Sequence, residues 1–313
     1  MECTTNRNST IQQIDIVHNE NMLCIYTNVD CLPNKIKELK WLIKLSEKVP
    51  DIIALTEVKN KRKRNFDYTD ELKIDGYHLF SNNLQEENRG IIIYVKQDLK
   101  CKQVTLNNSF MEYVLLEIQT DLDKVMQVAT IYRSPNSSFE NSLNMCSLID
   151  HICTIPGYKL FLGDFNFPKI DWNDTESKKT SRKKLGLLTE KLIDTLQKND
   201  LQQHINFPTR ARGNATPHIL DLIITKSNES FIENIEFDAP LGKSDHSIIR
   251  VSCKVNPKIS TEKESWTKPL DHVDLEVKKM ISEKNRLWTE YIKDNKKFDK
   301  YKTARDAVCK KIN

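Results

Sequence analysis

Short apolar segments recur through residues 21–255, and their length and order constrain the fold more than any other feature of the sequence. Met22–Tyr26 and Asp51–Leu55 are runs of the kind that predicts buried strands. Between them, Lys35–Val49 carries apolar residues at helical spacing. The pattern predicts a β-α-β unit at the start of an α/β domain.

The rest of residues 21–255 also contains predicted strands interspersed with predicted helices. Further strands are predicted at 77–81, 90–95, 113–118, 125–132, 159–163, 219–225 and 247–255, and helices at 139–153 and 181–198. Ser137 and Ser138 are candidate N-caps for the first of these two helices. Mixed sheets flanked by helices are the natural packing for this order of elements.

A change of composition follows residue 255. Pro257–Pro269 is polar and bounded by prolines, which predicts a linker, and two helical patterns come after it. We therefore divide the chain into an N-terminal extension (1–20), a main domain (21–255), a linker (256–270) and a basic helical tail (271–313). The net charge of +4 belongs to the tail, because residues 256–313 hold 15 Lys+Arg and 10 Asp+Glu, against 33 and 34 before them. Net charge alone is therefore weak evidence that the main domain binds a polyanion such as a nucleic acid.

Several classes of protein are excluded. The longest apolar runs fall far short of the ~20 residues that a helix needs to cross a bilayer. The N-terminus lacks the apolar segment of a signal peptide, so we expect an intracellular protein. The 8 cysteines include no Cys-x-x-Cys pair, which argues against a zinc site and a disulfide framework.

Polar residues stand where the predicted strands end, and such loop ends are where α/β proteins assemble their sites. Each alone also fits a turn residue, a solvated strand end or a packed side chain, so their joint occurrence carries the prediction. Asp221 lies inside an apolar run, where a carboxylate needs a partner, and His246 is an available one. The candidates are Asn28, Asp30, Glu57, Tyr132, Asp164, Asn166, Asp221, Asp245 and His246.

Four segments, in this order, resemble the motifs of the endonuclease/exonuclease/phosphatase superfamily. They are Thr27-Asn-Val-Asp-Cys-Leu, Asp51-Ile-Ile-Ala-Leu-Thr-Glu-Val-Lys, Gly163-Asp-Phe-Asn and Ser244-Asp-His-Ser-Ile-Ile. Phe207-Pro-Thr-Arg and Ile219-Leu-Asp-Leu-Ile further resemble the apurinic-type endonuclease domain of non-LTR retrotransposons. The resemblance covers about residues 21–255. It implies a four-layered α/β sandwich, in which two mixed β-sheets are flanked by helices, followed by a C-terminal helical tail.

The resemblance also implies a chemistry and a set of roles. A hard Mg²⁺ ion, or Mn²⁺, neutralises phosphate charge in such enzymes. Glu57 is implied as the principal metal ligand, with Asp30, Asp245 and Asn28 near the metal or its waters. Asp164 is implied as the general base, oriented by Asn166. Tyr132 is implied to contact the phosphate or leaving group, and His246, held by Asp221, is implied to donate to a phosphate oxygen.

Two features depart from the family pattern. Thr56 precedes Glu57, where the family often has Gln, which puts a neighbouring contact in doubt but not the ligand. The sequence stops at Asn313 without a polymerase, so we expect a fragment or a domesticated copy, unable to carry out reverse transcription by itself.

The expected partner is DNA, with no membrane, and the implied location is nuclear. Candidate contacts to DNA phosphates are Lys61, Arg62, Arg64, Arg89, Arg210 and Arg212, although isolated basic residues are as often plain surface charge. Two alternatives stay open. One is a phosphatase acting on a small or lipid phosphate ester on the same fold. The other is a catalytically silent module whose tail binds a protein partner.

Overall fold

The computed structural model of the protein describes residues 21–60, 70–82, 88–120, 124–172, 186–259 and 274–312. These residues form two mixed six-stranded sheets with helices on the outer faces, so the predicted α/β sandwich is confirmed. The strands are β1 Met22–Asn28, β2 Ile52–Thr56, β3 Tyr77–Ser81, β4 Ile91–Lys96, β5 Cys101–Val104, β6 Tyr113–Gln119, β7 Val125–Tyr132, β8 Tyr158–Asp164, β9 Leu201–Gln203, β10 Asp221–Lys226, β11 Ile232–Asp238 and β12 Ile248–Cys253. The α-helices are α1 Ile36–Leu45, α2 Phe139–Thr154, α3 Leu187–Lys198, α4 Leu275–Lys293 and α5 Phe298–Ile312.

The two sheets have the strand orders β11-β12-β1-β2-β4-β3 and β5-β6-β7-β8-β10-β9. Successive side chains on a strand face opposite sides of the sheet. Cys24 and Tyr26 of β1 therefore lie in the core between the sheets, whereas Ile25 packs toward α1. The outer face of the second sheet is covered by α2 and α3. Because both faces of the central strands are covered, those strands are continuously apolar rather than alternating.

Three edge strands were not predicted, namely β5, β9 and β11. Most of their residues are exposed or half-buried, so they lack the apolar pattern on which the sequence prediction depended. Two helix boundaries also differ from the prediction. α1 ends at Leu45 rather than Val49. α3 begins at Leu187, and the predicted start at 181–185 lies outside the described residues.

The pairing of the central strands brings their polar ends to one edge of the molecule. β1 and β2 are parallel, as are β7 and β8, so Asn28, Tyr132 and Asp164 all lie at carboxyl ends. β10 runs antiparallel to β8, which sets Asp221, its first residue, opposite Asp164. β12 runs antiparallel to β1, and His246 precedes its start by two residues. The topology therefore gathers residues from both sheets.

The C-terminal helices pack against this body. Trp288, Tyr291 and Tyr301 form a buried cluster with Ala211 and Ala239 of the main domain. The first residues of the predicted linker also contact the body, because Pro257 and Ile259 form β-bridges with Thr120 and Leu99. Across the described ranges, none of the helices combines the length and apolar character that crossing a bilayer requires.

Candidate active site

Asp221 and His246 form a hydrogen-bonded pair at the centre of the site. The Nδ1 atom of His246 lies 2.7 Å from Asp221 Oδ2. The second oxygen of Asp221 accepts a hydrogen bond of 3.0 Å from the Tyr26 hydroxyl. All three side chains are buried, so both oxygens of a carboxylate within the core are satisfied. The pairing that the sequence predicted for Asp221 is therefore present.

Asp164 faces the same space from the end of β8. Its Oδ2 accepts a hydrogen bond of 2.9 Å from the Asn28 side chain, and its Oδ1 accepts one of 3.1 Å from the backbone N–H of Asn166. Burial and the negative charge of Asp221 raise the pKa of Asp164 to about 8, against the opposing effect of His246. A carboxyl group with a pKa near the working pH is suited to accept and release a proton.

The second ring nitrogen of His246 points toward the acids. Nε2 lies 4.0 Å from Asp164 Oδ2 and 3.7 Å from Asp245 Oδ1, both longer than a hydrogen bond. Burial by itself lowers the pKa of His246, but the charge and hydrogen bond of Asp221, with Asp164 and Asp245, raise it to about 10. The imidazole is therefore a cation near neutral pH, and its Nε2–H lies near the side chains of Asp164 and Asp245.

Glu57 lies across from this group, after β2. Its Oε1 accepts a hydrogen bond of 3.0 Å from the Tyr132 hydroxyl. Its Oε2 lies 2.6 Å from Arg89 Nη2, and the same nitrogen lies 2.6 Å from Asp30 Oδ1. Burial and the charge of Glu57 raise the pKa of Tyr132, so its hydroxyl stays protonated as a donor. Arg89 thus joins two predicted metal ligands through one atom.

The donor set at this point fits a hard divalent cation. Mg²⁺ is bound by carboxylate and other oxygens, and oxygens of Glu57 and Asp30 already converge on a single cationic nitrogen. Asp164, Asp221 and His246 also offer atoms within 4.8 Å of one another. That trio suits Mg²⁺ less well, because a protonated imidazole has no free lone pair and both Asp221 oxygens accept hydrogen bonds.

Asp245 and Arg210 form a second pair at the rim. Both Nε and Nη2 of Arg210 lie 3.0 Å from Asp245 Oδ2. Arg210 therefore contacts an acid of the site in this structure, while Arg212 is exposed two residues further on. Of the other predicted phosphate contacts, Lys61, Arg62 and Arg64 lie outside the described residues.

Local backbone geometry is unusual in three of the sequence motifs. A Cβ atom on Gly163 would lie 2.0 Å from the carbonyl oxygen of Ile131, so only glycine permits β7 and β8 to pair closely beside Asp164. Asp30, Glu57 and Asn166 have φ values of 39°, 52° and 54°, which are unusual for residues with a side chain. Such strained positions cluster at functional sites.

Three residues that support the site were assigned no role from the sequence, namely Tyr26, Thr209 and Ser244. The Tyr26 hydroxyl donates to Asp221 and also contacts Thr56 Oγ1. Thr56, which stands where the family often has Gln, therefore contacts Tyr26. Thr209 Oγ1 accepts the N–H groups of Leu220 and Asp221. Ser244 Oγ donates to the carbonyl of Asn28 over 2.7 Å. Thr209 and Ser244 belong to segments that resemble the family motifs, whereas nothing in the sequence distinguishes Tyr26 from an ordinary residue of a buried strand.

Comparison with protein families agrees with this geometry. Residues 126–250 match the family described as endonuclease-reverse transcriptase. The matched range runs from β7 to β12 and contains Tyr132, Asp164, Asp221 and His246. A comparison with curated proteins found no match.

Solved structures of several nucleic-acid enzymes have a similar fold. The endonuclease domain of TRAS1, a telomere-specific non-LTR retrotransposon, is 18% identical, with a TM-score of 0.54 over 74% of this chain and 98% of that chain. The AP endonuclease LMAP from Leishmania major is 14% identical, with a TM-score of 0.57 over 80% and 92%. The 3′ phosphatase NExo from Neisseria, bound to a product DNA hairpin, is 16% identical, with a TM-score of 0.52 over 74% and 99%.

The two sheets have the fold of these enzymes, and the family match over residues 126–250 makes the chain similar to the endonuclease/exonuclease/phosphatase superfamily. Within that class, the chain is similar to the endonuclease domain of non-LTR retrotransposons. The resemblance stated from the motifs is confirmed.

Proposed function

We propose that the protein is a Mg²⁺-dependent endonuclease that hydrolyses a phosphodiester bond of DNA and leaves a nick. One observation carries the proposal. Asp164 and the Nε2 atom of His246 face a common space, with the Glu57 carboxylate and the Tyr132 hydroxyl in the same site. A base, a cationic donor and a hard-metal ligand set are the groups that this hydrolysis requires.

Glu57 and Asp30 would hold the metal ion, with Asp245 and Asn28 nearby. When bound, Mg²⁺ neutralises phosphate charge and stabilises the leaving oxygen. Glu57 is held by Tyr132 and Arg89, so its carboxylate is oriented before any substrate arrives. Fixing the orientation in advance lowers the cost of reaching the reactive geometry.

Asp164 would take the proton of the attacking water. Asn28 and Asn166 fix the orientation of its carboxylate through the two hydrogen bonds described above. His246, held by Asp221, would donate its Nε2–H to a phosphate oxygen as negative charge develops there. The Tyr132 hydroxyl would contact the phosphate or the leaving group.

The substrate class follows from the similar proteins and from local charge. One similar structure is a retrotransposon endonuclease domain, and another holds a DNA hairpin. The exposed Arg212 beside the site is proposed to contact the DNA backbone, as are Lys61, Arg62 and Arg64. A DNA substrate implies a nuclear location.

A plasmid assay tests the proposal. We expect the protein to convert supercoiled plasmid to the open circle with Mg²⁺ and not with EDTA. Asp164→Ala and His246→Ala should each lower the rate by at least about 100-fold, since each removes a proton-transfer or charge-stabilising group. Asp150→Ala, on α2 and paired with Lys198, is the matched acidic control. Nicking at the wild-type rate by both site variants would disprove the assigned roles.

A second function on the same fold is supported by the similarity to a 3′ phosphatase. Parallel assays on an abasic oligonucleotide, a 3′-phosphorylated oligonucleotide and a phosphoinositide separate the alternatives. Preferential release of inorganic phosphate would favour a phosphatase. A chain that binds DNA and hydrolyses none of these substrates would be a silent binding module.

A further inference from the structure

The helix α4 makes a buried polar contact with the segment that carries His246. Trp288 is 1% exposed, and its indole Nε1–H donates a hydrogen bond of 3.0 Å to Ser247 Oγ. Ser247 follows His246 directly in the chain and is itself fully buried. The hydroxyl that Trp288 contacts therefore belongs to the segment that carries the proposed phosphate donor.

That segment is one side of a short ladder. The N–H of Ser247 donates to the carbonyl of Thr209 over 2.7 Å, and the N–H of Ala211 donates to the carbonyl of Asp245 over 3.0 Å. Residues 209–211 and 245–247 are thereby paired, with a β-bridge between Arg210 and His246. Side chains from both sides of this ladder enter the site.

The same helix also holds the other side of the ladder. The Tyr291 hydroxyl donates a hydrogen bond of 2.7 Å to the carbonyl of Gly213, two residues after Ala211. The charge of Asp245 contributes to raising the pKa of Tyr291, after the larger effect of burial, so the hydroxyl lies within electrostatic reach of the site. Trp288 and Tyr291, one helical turn apart on α4, thus contact one side of the ladder and the segment just after its other side.

We propose that α4 is a positioning element of the active site, in which Trp288 and Tyr291 clamp the ladder that bears Asp245 and His246. The proposal rests on the nuclease function above and adds specific residues from the C-terminal tail to it. Displacing a reacting group by about 1 Å can cost on the order of 100-fold in rate, so a clamp on this ladder has a direct effect on turnover.

The decisive variant is Trp288→Phe, which keeps an aromatic ring in the cluster and removes the N–H donor. Tyr301→Phe is the matched control, because Tyr301 packs against Trp288 at a centroid distance of 4.8 Å and its hydroxyl has no hydrogen-bond partner among the described residues. We expect Trp288→Phe to lower kcat about 10-fold with KM changed less than twofold, and Tyr301→Phe to leave both unchanged. Equal kcat for wild type and Trp288→Phe overturns the proposal, as does an equal fall in both variants.

A double-mutant cycle tests the contact itself. Ser247→Ala removes the acceptor, so the double variant Trp288→Phe/Ser247→Ala should lose no more activity than the more impaired single variant. Independent, multiplicative losses in the double variant would show that the two residues do not act through one hydrogen bond, and would overturn the proposal.

A spectroscopic readout separates this inference from the nuclease assignment. In NMR spectra of the wild type, we expect a slowly exchanging Trp288 indole N–H, which exchanges faster in Ser247→Ala. The His246 ring resonances should shift in Trp288→Phe and not in Tyr301→Phe. If the wild type does not nick DNA, the proposed function fails. If the His246 resonances are unchanged in Trp288→Phe, the proposed positioning role of α4 is wrong, whatever the enzyme assays show.

Discussion

Asp221 illustrates how single side chains set the chemistry of this site. Its two oxygens are occupied by Tyr26 and His246, and its charge raises the pKa of both His246 and the neighbouring Asp164. One buried carboxylate therefore favours the protonated form of the proposed donor, His246, and of the proposed base, Asp164, at once. The cost of burying that charge is offset because both oxygens are hydrogen-bonded and a cation is adjacent.

The pH dependence of the reaction follows from these groups. In the proposed mechanism, Asp164 acts as a base only after losing its proton, so kcat should rise with pH toward about 8, with the midpoint lowered when Mg²⁺ adds positive charge nearby. His246 donates only while protonated, so kcat should fall as pH approaches about 10. A bell-shaped profile of kcat between pH 6 and 10.5 is the expected measurement.

Asp221→Asn provides the sharper test of this assignment. Removing the charge lowers the pKa of His246 toward its ordinary value of about 6.5, so the alkaline limb should move to lower pH. The carboxyl group of Asp150, which pairs with Lys198 on another face, supplies the control Asp150→Asn, with an unchanged profile. An alkaline limb that stays in place in Asp221→Asn would contradict the role of this pair.

At the scale of elements, a buried ion pair joins α1 to α4. Lys284 Nζ contacts Glu38 Oε1 and also donates to the carbonyl of Pro240 over 3.0 Å. The second Glu38 oxygen accepts the N–H of Gly242 at 2.8 Å. Glu38 and Lys284 are 6% and 2% exposed, so solvent cannot replace either partner. The C-terminal helix is therefore attached to the first sheet layer by a charge contact as well as by apolar packing.

Lys284→Met should leave the Glu38 carboxylate buried and without its cation. Removing one partner of a buried pair costs about 3–5 kcal/mol, and we expect a loss of this size in the free energy of unfolding, measured by denaturant titration. Replacing both partners, with Glu38→Leu and Lys284→Met, should recover most of it. Arg286→Met, which removes an exposed pair on the same helix, should leave the denaturation midpoint unchanged. A loss as large in Arg286→Met would contradict this account.

For the whole molecule, the candidate site lies where strand ends from both sheets meet, beside the C-terminal helices. The first sheet supplies Asn28 and Glu57, and the second supplies Tyr132, Asp164 and Asp221. The apolar core between the sheets holds them in register. The aromatic cluster of α4 and α5 covers the ladder next to His246.

A chain shortened to end at Val255 tests the place of the helices in this assembly. It exposes Ala211, Ala239 and Phe237 and leaves Glu38 without Lys284. We expect a lower Tm and increased binding of a hydrophobic dye, because apolar surface and a buried charge lose their partners. A shortened chain with the Tm and dye binding of the full chain would show that the helices are an independent appendage.

The amino-acid sequence by itself determined the central strands, the helices that follow them along the chain and the polar residues at the strand ends. Burial on both faces makes β1, β2 and β8 apolar along their whole length, and that local signal can be read without a structure. The order of the motifs then indicated the superfamily. The edge strands β5 and β9 carry no such signal because solvent contacts much of their surface.

Only the tertiary structure decided which groups meet. Tyr26 reaches Asp221 across 195 residues of sequence, Arg89 joins Asp30 to Glu57, and Trp288 contacts Ser247. Periodicity reports which face of an element is buried, but it does not report which other element covers that face. The sequence predicts that the tail is a separate basic segment. Its buried face nevertheless contacts the residues next to His246. The lysines of the tail give it its net positive charge, whereas its aromatic residues make the contacts with the main domain.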